Sequence, residues 1–159
     1  MDESRIVIRP ATEADRASVQ AILADTFETT WRPHLTSAAI EDYLSAGRGD
    51  RYVGEHWPAF WVAEMDGKPA GFVHWDGDFI EAVHVSSNHL RRGIGSRLLD
   101  HAERAIAAAG FAEARLESDD FNRRSHAVYL TRGYVEKDRY PDDEWNSGFT
   151  TLLFAKPLG

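Results

Sequence analysis

The chain contains no cysteine in its 159 residues, which excludes disulfides, thiolate metal ligands and a cysteine nucleophile together. It has no apolar run near the ~18 residues that a membrane span requires. Positive charge is in short supply, with 18 Lys and Arg against 26 Asp and Glu, a formal net charge of −8. That balance argues against nucleic-acid binding, which wants a basic face, and leaves room for a cationic substrate. The opening MDESRIVIRP is acidic and lacks the apolar core of a leader, so a cytoplasmic location is expected. No GxSxG occurs, so a serine nucleophile is unsupported, and the histidines show neither HExxH nor paired spacing, so no metal site is expected.

Within these limits the composition, 43% hydrophobic and 28% charged, is that of a globular protein, and the length suits a single domain over residues 1–159. The most informative stretch is EAVHVSSNHLRRGIGSRLL, from Glu81 to Leu99. It reads as an apolar strand, a polar turn, a basic glycine-containing bend and an amphipathic helix. A helix entered this way leaves its first backbone N–H groups without partners and adds partial positive charge there. An anion is the natural occupant. Gly93 and Gly95 let a phosphate approach the backbone, and Arg91, Arg92 and Arg97 surround the same point with cations. The spacing matches neither GxxxxGK[ST] nor GxGxxG.

Periodicity and breakers place the other elements. A strand over Arg5–Arg9 ends at Pro10, and Thr12 with Asp15 forms a capping pair that opens a first helix carrying Val19, Ile22, Leu23 and Phe27. A second helix runs from Ser37 to a stop by Gly47, and Arg48–Pro58 reads as a long loop bordering a substrate cleft. Three consecutive strands follow: Phe60–Met65, Pro69–Trp75 and Phe79–Val85. A helix over Ile94–Ala109 turns Ile94, Leu98, Leu99, Ala102, Ala105, Ile106 and Ala109 inward and ends at Gly110. A short strand at Ala114–Glu117, a loop over Ser118–Phe121 and a helix capped by Asn122 and closed by Gly133 come next. The last two strands are Tyr134–Tyr140 and Phe149–Ala155. The order β-α-α-β-β-β-α-β-α-β-β predicts an α+β or mixed α/β fold around a central sheet.

Two motifs carry a resemblance. LRRGIG after a strand resembles the acyl-coenzyme A loop, [QR]xxGx[GA], of the GCN5-related N-acetyltransferases (GNAT), with Leu90 where Gln or Arg is usual. The stretch ARLESDDFNRRSHAVYLTRGY resembles that family's second motif, NxxAxxxYxxxGF. Asn122, Ser125, Tyr129, Gly133 and Tyr134 occupy its places, with Ser for Ala and Tyr for Phe. The resemblance implies a mostly antiparallel sheet of about seven strands flanked by about four helices. It also implies transfer of acetyl from acetyl-coenzyme A to a primary amine by direct attack in a ternary complex.

Acyl transfer to an amine needs a base, a stabiliser for the charge that builds on oxygen, and an acid for the leaving thiolate. Tyr129, through its motif position, is implied as the acid. Glu81 and His84 are the candidate bases. They differ by an odd number of positions, so strict strand alternation puts only one of them in the cleft. Carried over as cofactor contacts are Val83 and Val85 on a strand splayed from its neighbour, Arg91, Arg92, Gly93, Ile94, Gly95 and Ser96 of the loop, Asn122 and Tyr129. The acceptor is a small-molecule amine or a peptide or protein amine, its walls formed around residues 31, 50 and 143. Neither nucleic acid nor a membrane is an expected partner, and a homodimer through the last strands fits the resemblance. The rival readings are an acyl-coenzyme A sensor without turnover, a transferase using a longer acyl donor, and a nucleotide binder.

Overall fold

The computed structural model describes residues 5–159, and the first four residues of the acidic opening lie outside it. Seven strands form one sheet: β1 (Ile6–Pro10), β2 (Trp61–Met65), β3 (Lys68–Asp76), β4 (Phe79–Val85), β5 (Glu113–Asp119), β6 (Val135–Pro141) and β7 (Thr150–Pro157). Their order across the sheet is β1-β2-β3-β4-β5-β7-β6. Every pairing is antiparallel except β4 with β5. Among the described residues no helix is long and apolar enough to cross a membrane.

Helices cover both faces. On one side lie α1 (Arg16–Thr26), α2 (Ser37–Ala46) and α3 (Arg48–His56). Val19, Ile22, Leu23 and Val53 from α1 and α3 pack there against Phe60, Val62 and Phe72. The other side carries α4 (Ile94–Ala108) and α5 (Arg123–Thr131). Its core joins Ile94, Leu98, Leu99, Ala102 and Ile106 of α4 to Val73, Ile80, Leu116, Tyr129 and Phe154. Gly71 on β3 makes the closeness of α4 to the sheet feasible. A Cβ there would lie 2.7 Å from the His84 carbonyl oxygen and 3.2 Å from both Ile94 and Leu98.

The capping signals act as expected. The Asp15 carboxylate accepts the Thr12 backbone N–H at 2.7 Å and Asn122 accepts that of Ser125 at 3.4 Å; the structure adds Thr36, which caps α2 by accepting that of Ala39. Gly47, at φ +62°, ends α2 in the left-handed region.

Three expectations change. Arg48–Pro58 is not a loop: α3 occupies it from Arg48 to His56, followed by a short 3-10 turn. Gly49 and Gly54 read as loop markers, but both lie inside the helix. A Cβ would make only ordinary contact at either one, 3.4 Å from Tyr43 at Gly49 and 3.4 Å from Arg16 at Gly54, and the buried Val53 supplies the helix's anchor. Strand β5 extends to Asp119, two residues past its expected end. On α4, Ala109 lies past the last turn and is exposed, while Glu103 is buried at 7% relative exposure.

Glu103 gathers the C-terminal half of the molecule. Its carboxylate accepts from the Tyr134 hydroxyl at 2.7 Å, from Arg132 at 2.9 Å and from Lys156 at 2.8 Å. The Tyr134 hydroxyl that distinguishes this chain from the usual GF ending therefore has a partner. The network ties α4 to the end of α5 and to β7.

Candidate active site

Strands β4 and β5 pair only at Phe79 with Arg115 and Ile80 with Leu116, then diverge. Beyond that point Glu81–Val85 have no strand partner on the β5 side among the described residues, which opens a gap in the middle of the sheet. Two cavities meet in it. The larger, about 780 Å³, runs from the gap to the start of α4 and is lined by Val83, Val85, Arg91, Gly93, Ile94, Gly95, Ser96, Asn122 and Tyr129. The smaller, about 330 Å³, is lined by Glu81, Glu117, Asp119, Asp142, Glu144 and Trp145, among others. Trp31, Val83, His84, Asn122, Ser125 and Tyr129 belong to both.

The mouth of the larger groove is built from main chain. Arg91 at φ +64° and Gly93 at φ +79° turn the chain into α4. Among the described residues no backbone N–H from Arg91 to Ser96 meets an acceptor; the first that does is Arg97, bonded to the Gly93 carbonyl at 3.1 Å. Unpaired donors at the start of a fifteen-residue helix suit a phosphate or diphosphate. The arginines divide. Arg91 lines the groove, whereas the Arg92 guanidinium turns back to the Met65 sulfur at 3.8 Å and Arg97 donates to the Ile6 carbonyl. Arg123 and Arg124, on the first turn of α5, also line the groove. The approach to the loop is clamped from α1: Asp25 accepts the backbone N–H and the hydroxyl of Ser87, each at 2.7 Å.

Glu81 and His84 share a side of the sheet, contrary to the alternation argument. The register of β3 with β4 slips between His74 and Trp75, which face Ala82 and Ile80, so Glu81 is an extra residue in a β-bulge. The bulge reverses the parity of β4. Ile80 packs under α4, whereas Ala82 packs on the α1 side and His84 stacks on Phe72 with ring centroids 5.4 Å apart. Both candidate bases consequently line the smaller cavity.

Their environments push them in opposite directions. Burial raises the Glu81 carboxyl above its usual range, and the nearby carboxylates of Asp76, Glu144 and Glu117 raise it further. Burial lowers the His84 imidazolium to about 4, so the ring is neutral at pH 7. Tyr129 is buried at the junction, with its phenol pushed up to about 12 by desolvation, which outweighs the opposing influence of the nearby Ser125. It therefore keeps its proton at neutral pH.

Several lining groups escaped the sequence reading. Asp119 accepts the Trp31 indole N–H at 2.7 Å, and burial raises its carboxyl to about 6. Glu117 and Asp119 stand two positions apart on one face of β5, a period-2 signal lost when the strand is ended at Glu117. Trp31 reaches the gap because α1 runs on into a π-helical turn over Phe27–Trp31. The segments near residues 31 and 143 do wall the cavity, while the segment near residue 50 belongs to α3 and is not among its lining residues. Trp61 and Trp75 pack around His101 on the α4 side.

The model of the acetyltransferase (GNAT) family matches residues 17–134. The chain is 30% identical to a phosphinothricin N-acetyltransferase of Streptomyces viridochromogenes, covering 96% of this chain and 90% of that one. It is 36% identical to a peptidyl-lysine N-acetyltransferase of Escherichia coli over 94 residues, covering 57% of this chain and 62% of that one. Its fold is similar to that of the PaiA N-acetyltransferase of Thermoplasma acidophilum, solved in complex with coenzyme A. That match has a TM-score of 0.78 at 16% identity and covers 96% of this chain and 99% of that one. Family model, curated relative and fold agree: the chain belongs to the GNAT acetyltransferase family.

Proposed function

We propose that this N-acetyltransferase takes acetyl from acetyl-coenzyme A and passes it directly to a primary amine held in the acidic cavity, with both substrates bound at once. The observation that carries the reading is the meeting of a long groove and a small carboxylate-lined cavity at Tyr129, His84 and Val83. The free amides of residues 91–96, with Arg91, hold the diphosphate, and Asn122 with the unpaired edge of β4 at Val83 and Val85 holds the pantetheine arm. Bound acetyl-coenzyme A supplies the acetyl thioester.

The side chains divide the proton work. An ammonium loses two protons on becoming an amide, one before its lone pair can attack and one afterwards. Glu81 takes the first and releases it to solvent. His84 takes the second as the C–N bond forms, and a backbone N–H at or beside Val83 faces the charge that collects on the acetyl oxygen. Tyr129 donates its proton to the sulfur as the C–S bond breaks, and the proton on His84 restores it. Side chains carry every proton transfer, and no metal takes part.

The cavity also selects. Glu81, Glu117, Asp119, Asp142 and Glu144 line a space of about 330 Å³, and the raised carboxyls of Glu81, Asp119 and Glu144 reflect burial together with mutual repulsion. A cation relieves that repulsion and an anion adds to it. The acceptor is accordingly an amine on a cationic scaffold, such as a polyamine, an aminoglycoside or a lysine-bearing peptide. Following free thiol release across an amine panel tests this. Acceptors with a second positive charge are expected to show kcat/KM at least about tenfold above anionic amino acids such as phosphinothricin. A preference for the anionic acceptors, or no thiol release from any amine, contradicts it.

The same reading takes residues 1–159 as a single transferase domain in the cytoplasm. The outer strand β6, where Val135 is exposed, is the surface a homodimer would use. Nucleic acid and membranes have no part in it.

A further inference from the structure

Thr26, in the last turn of α1, is buried at 8% relative exposure and touches two groups. Its hydroxyl oxygen lies 3.2 Å from the Leu23 carbonyl oxygen and 3.0 Å from Nδ1 of His84. A carbonyl oxygen only accepts, and a threonine hydroxyl has one hydrogen to give. Both contacts are hydrogen bonds in one arrangement alone: Thr26 donates to Leu23, and Nδ1–H of His84 donates to Thr26. The opposite arrangement would set two oxygen lone pairs against each other at 3.2 Å.

The ring is held in that pose. Phe72 stacks on it at an interplanar angle of 18°, and the Trp31 indole lies across it at a centroid distance of 5.7 Å, itself fixed by its bond to Asp119. Nε2 has no hydrogen-bond partner among the described residues, and His84 lines both cavities at their junction.

We infer that Thr26 sets the tautomer of His84, placing the ring hydrogen on Nδ1 so that Nε2 presents an unprotonated lone pair where the amine arrives. Thr26 is a positioning residue, acting through His84. An Nε2–H would donate into the amine lone pair that must attack, whereas a bare Nε2 accepts the amine's own N–H and can take its proton as the C–N bond forms. The role given to Thr26 in turnover rests on the reading of His84 as a base; the tautomer itself does not.

Long-range proton–nitrogen correlation spectra of histidine-labelled protein test the inference, with the His84 signals assigned through His84→Gln. The expected wild-type spectrum shows a pyrrole-type Nδ1 and a pyridine-type Nε2 for His84. Thr26→Val, similar in shape but unable to accept, should remove the fixed tautomer and lower kcat about tenfold, the size of one lost hydrogen bond, with KM for acetyl-coenzyme A unchanged. Thr26→Ser should restore both. A protonated Nε2 in the wild type, or an unaltered tautomer and kcat in folded Thr26→Val, overturns the proposal. The wild-type spectrum decides the tautomer even if Thr26→Val does not fold. If His84→Gln keeps full kcat, the base assignment fails while the tautomer stands, so the two failures are distinguishable.

Discussion

Tyr129→Phe is expected to lower kcat by about 10²-fold or more, within the range of a lost general acid, while leaving coenzyme A affinity and the folding midpoint close to wild type. Phenylalanine keeps the ring that packs at the junction between Tyr134 and Phe154, so the core on the α4 side is preserved. Only the hydroxyl goes, and with it a proton held up to about pH 12 beside the gap. Steady-state thiol release gives kcat, and calorimetry gives coenzyme A binding separately. Turnover at the wild-type rate would remove Tyr129 from the chemistry and reduce it to a core residue shared by two cavities.

Glu103→Ala carries the largest expected loss of stability, about 2–4 kcal/mol in a urea titration, because it removes the buried carboxylate on which two part-buried cations and a buried hydroxyl converge. Arg132 has a side chain only 14% exposed and loses one of two carboxylate partners, retaining Asp100 at 2.6 Å. Lys156 and the Tyr134 hydroxyl lose the acceptor that joins them. Tyr134→Phe removes one donor and keeps the ion pairs, so its cost should be about 1–3 kcal/mol. A Glu103→Ala cost no larger than that of Tyr134→Phe would mean that the network contributes little and that apolar contacts alone hold α4, α5 and β7 together.

What could be read from the residues divides along physical lines. Local signals were sufficient where one element decides its own structure: the Thr12–Asp15 pair, the Asn122 cap, the glycine stops at Gly47 and Gly133, and the free amides that open α4. The resemblance of LRRGIG and NRRSHAVYLTRGY to the family motifs located the groove and the junction tyrosine in advance. The misreadings came where a distant partner decides. Gly49 and Gly54 signal a loop unless Val53 between them is known to enter the core beside Val19, Phe60 and Phe72. The bulge at Glu81 is a property of its pairing with β3, and nothing in FIEAVHV marks it, so alternation put Glu81 and His84 on opposite faces. The acidic cavity draws its carboxylates from β4, β5 and the segment before β7, and no single stretch of sequence contains the cluster. Thr26 is unremarkable in sequence too, because its significance depends on a ring 58 positions away.

Coenzyme A recognition depends on main-chain donors at the start of α4 working together with the opened edge of β4. Titrating coenzyme A into nitrogen-labelled protein and following every backbone amide tests that most directly. The amides of Gly93, Ile94, Gly95 and Ser96 are expected to shift together with those of Val83 and Val85, and ATP should not reproduce the changes at Val83 and Val85. Binding of coenzyme A that leaves the amides of residues 91–96 unmoved, or that perturbs them without touching β4, would contradict the account.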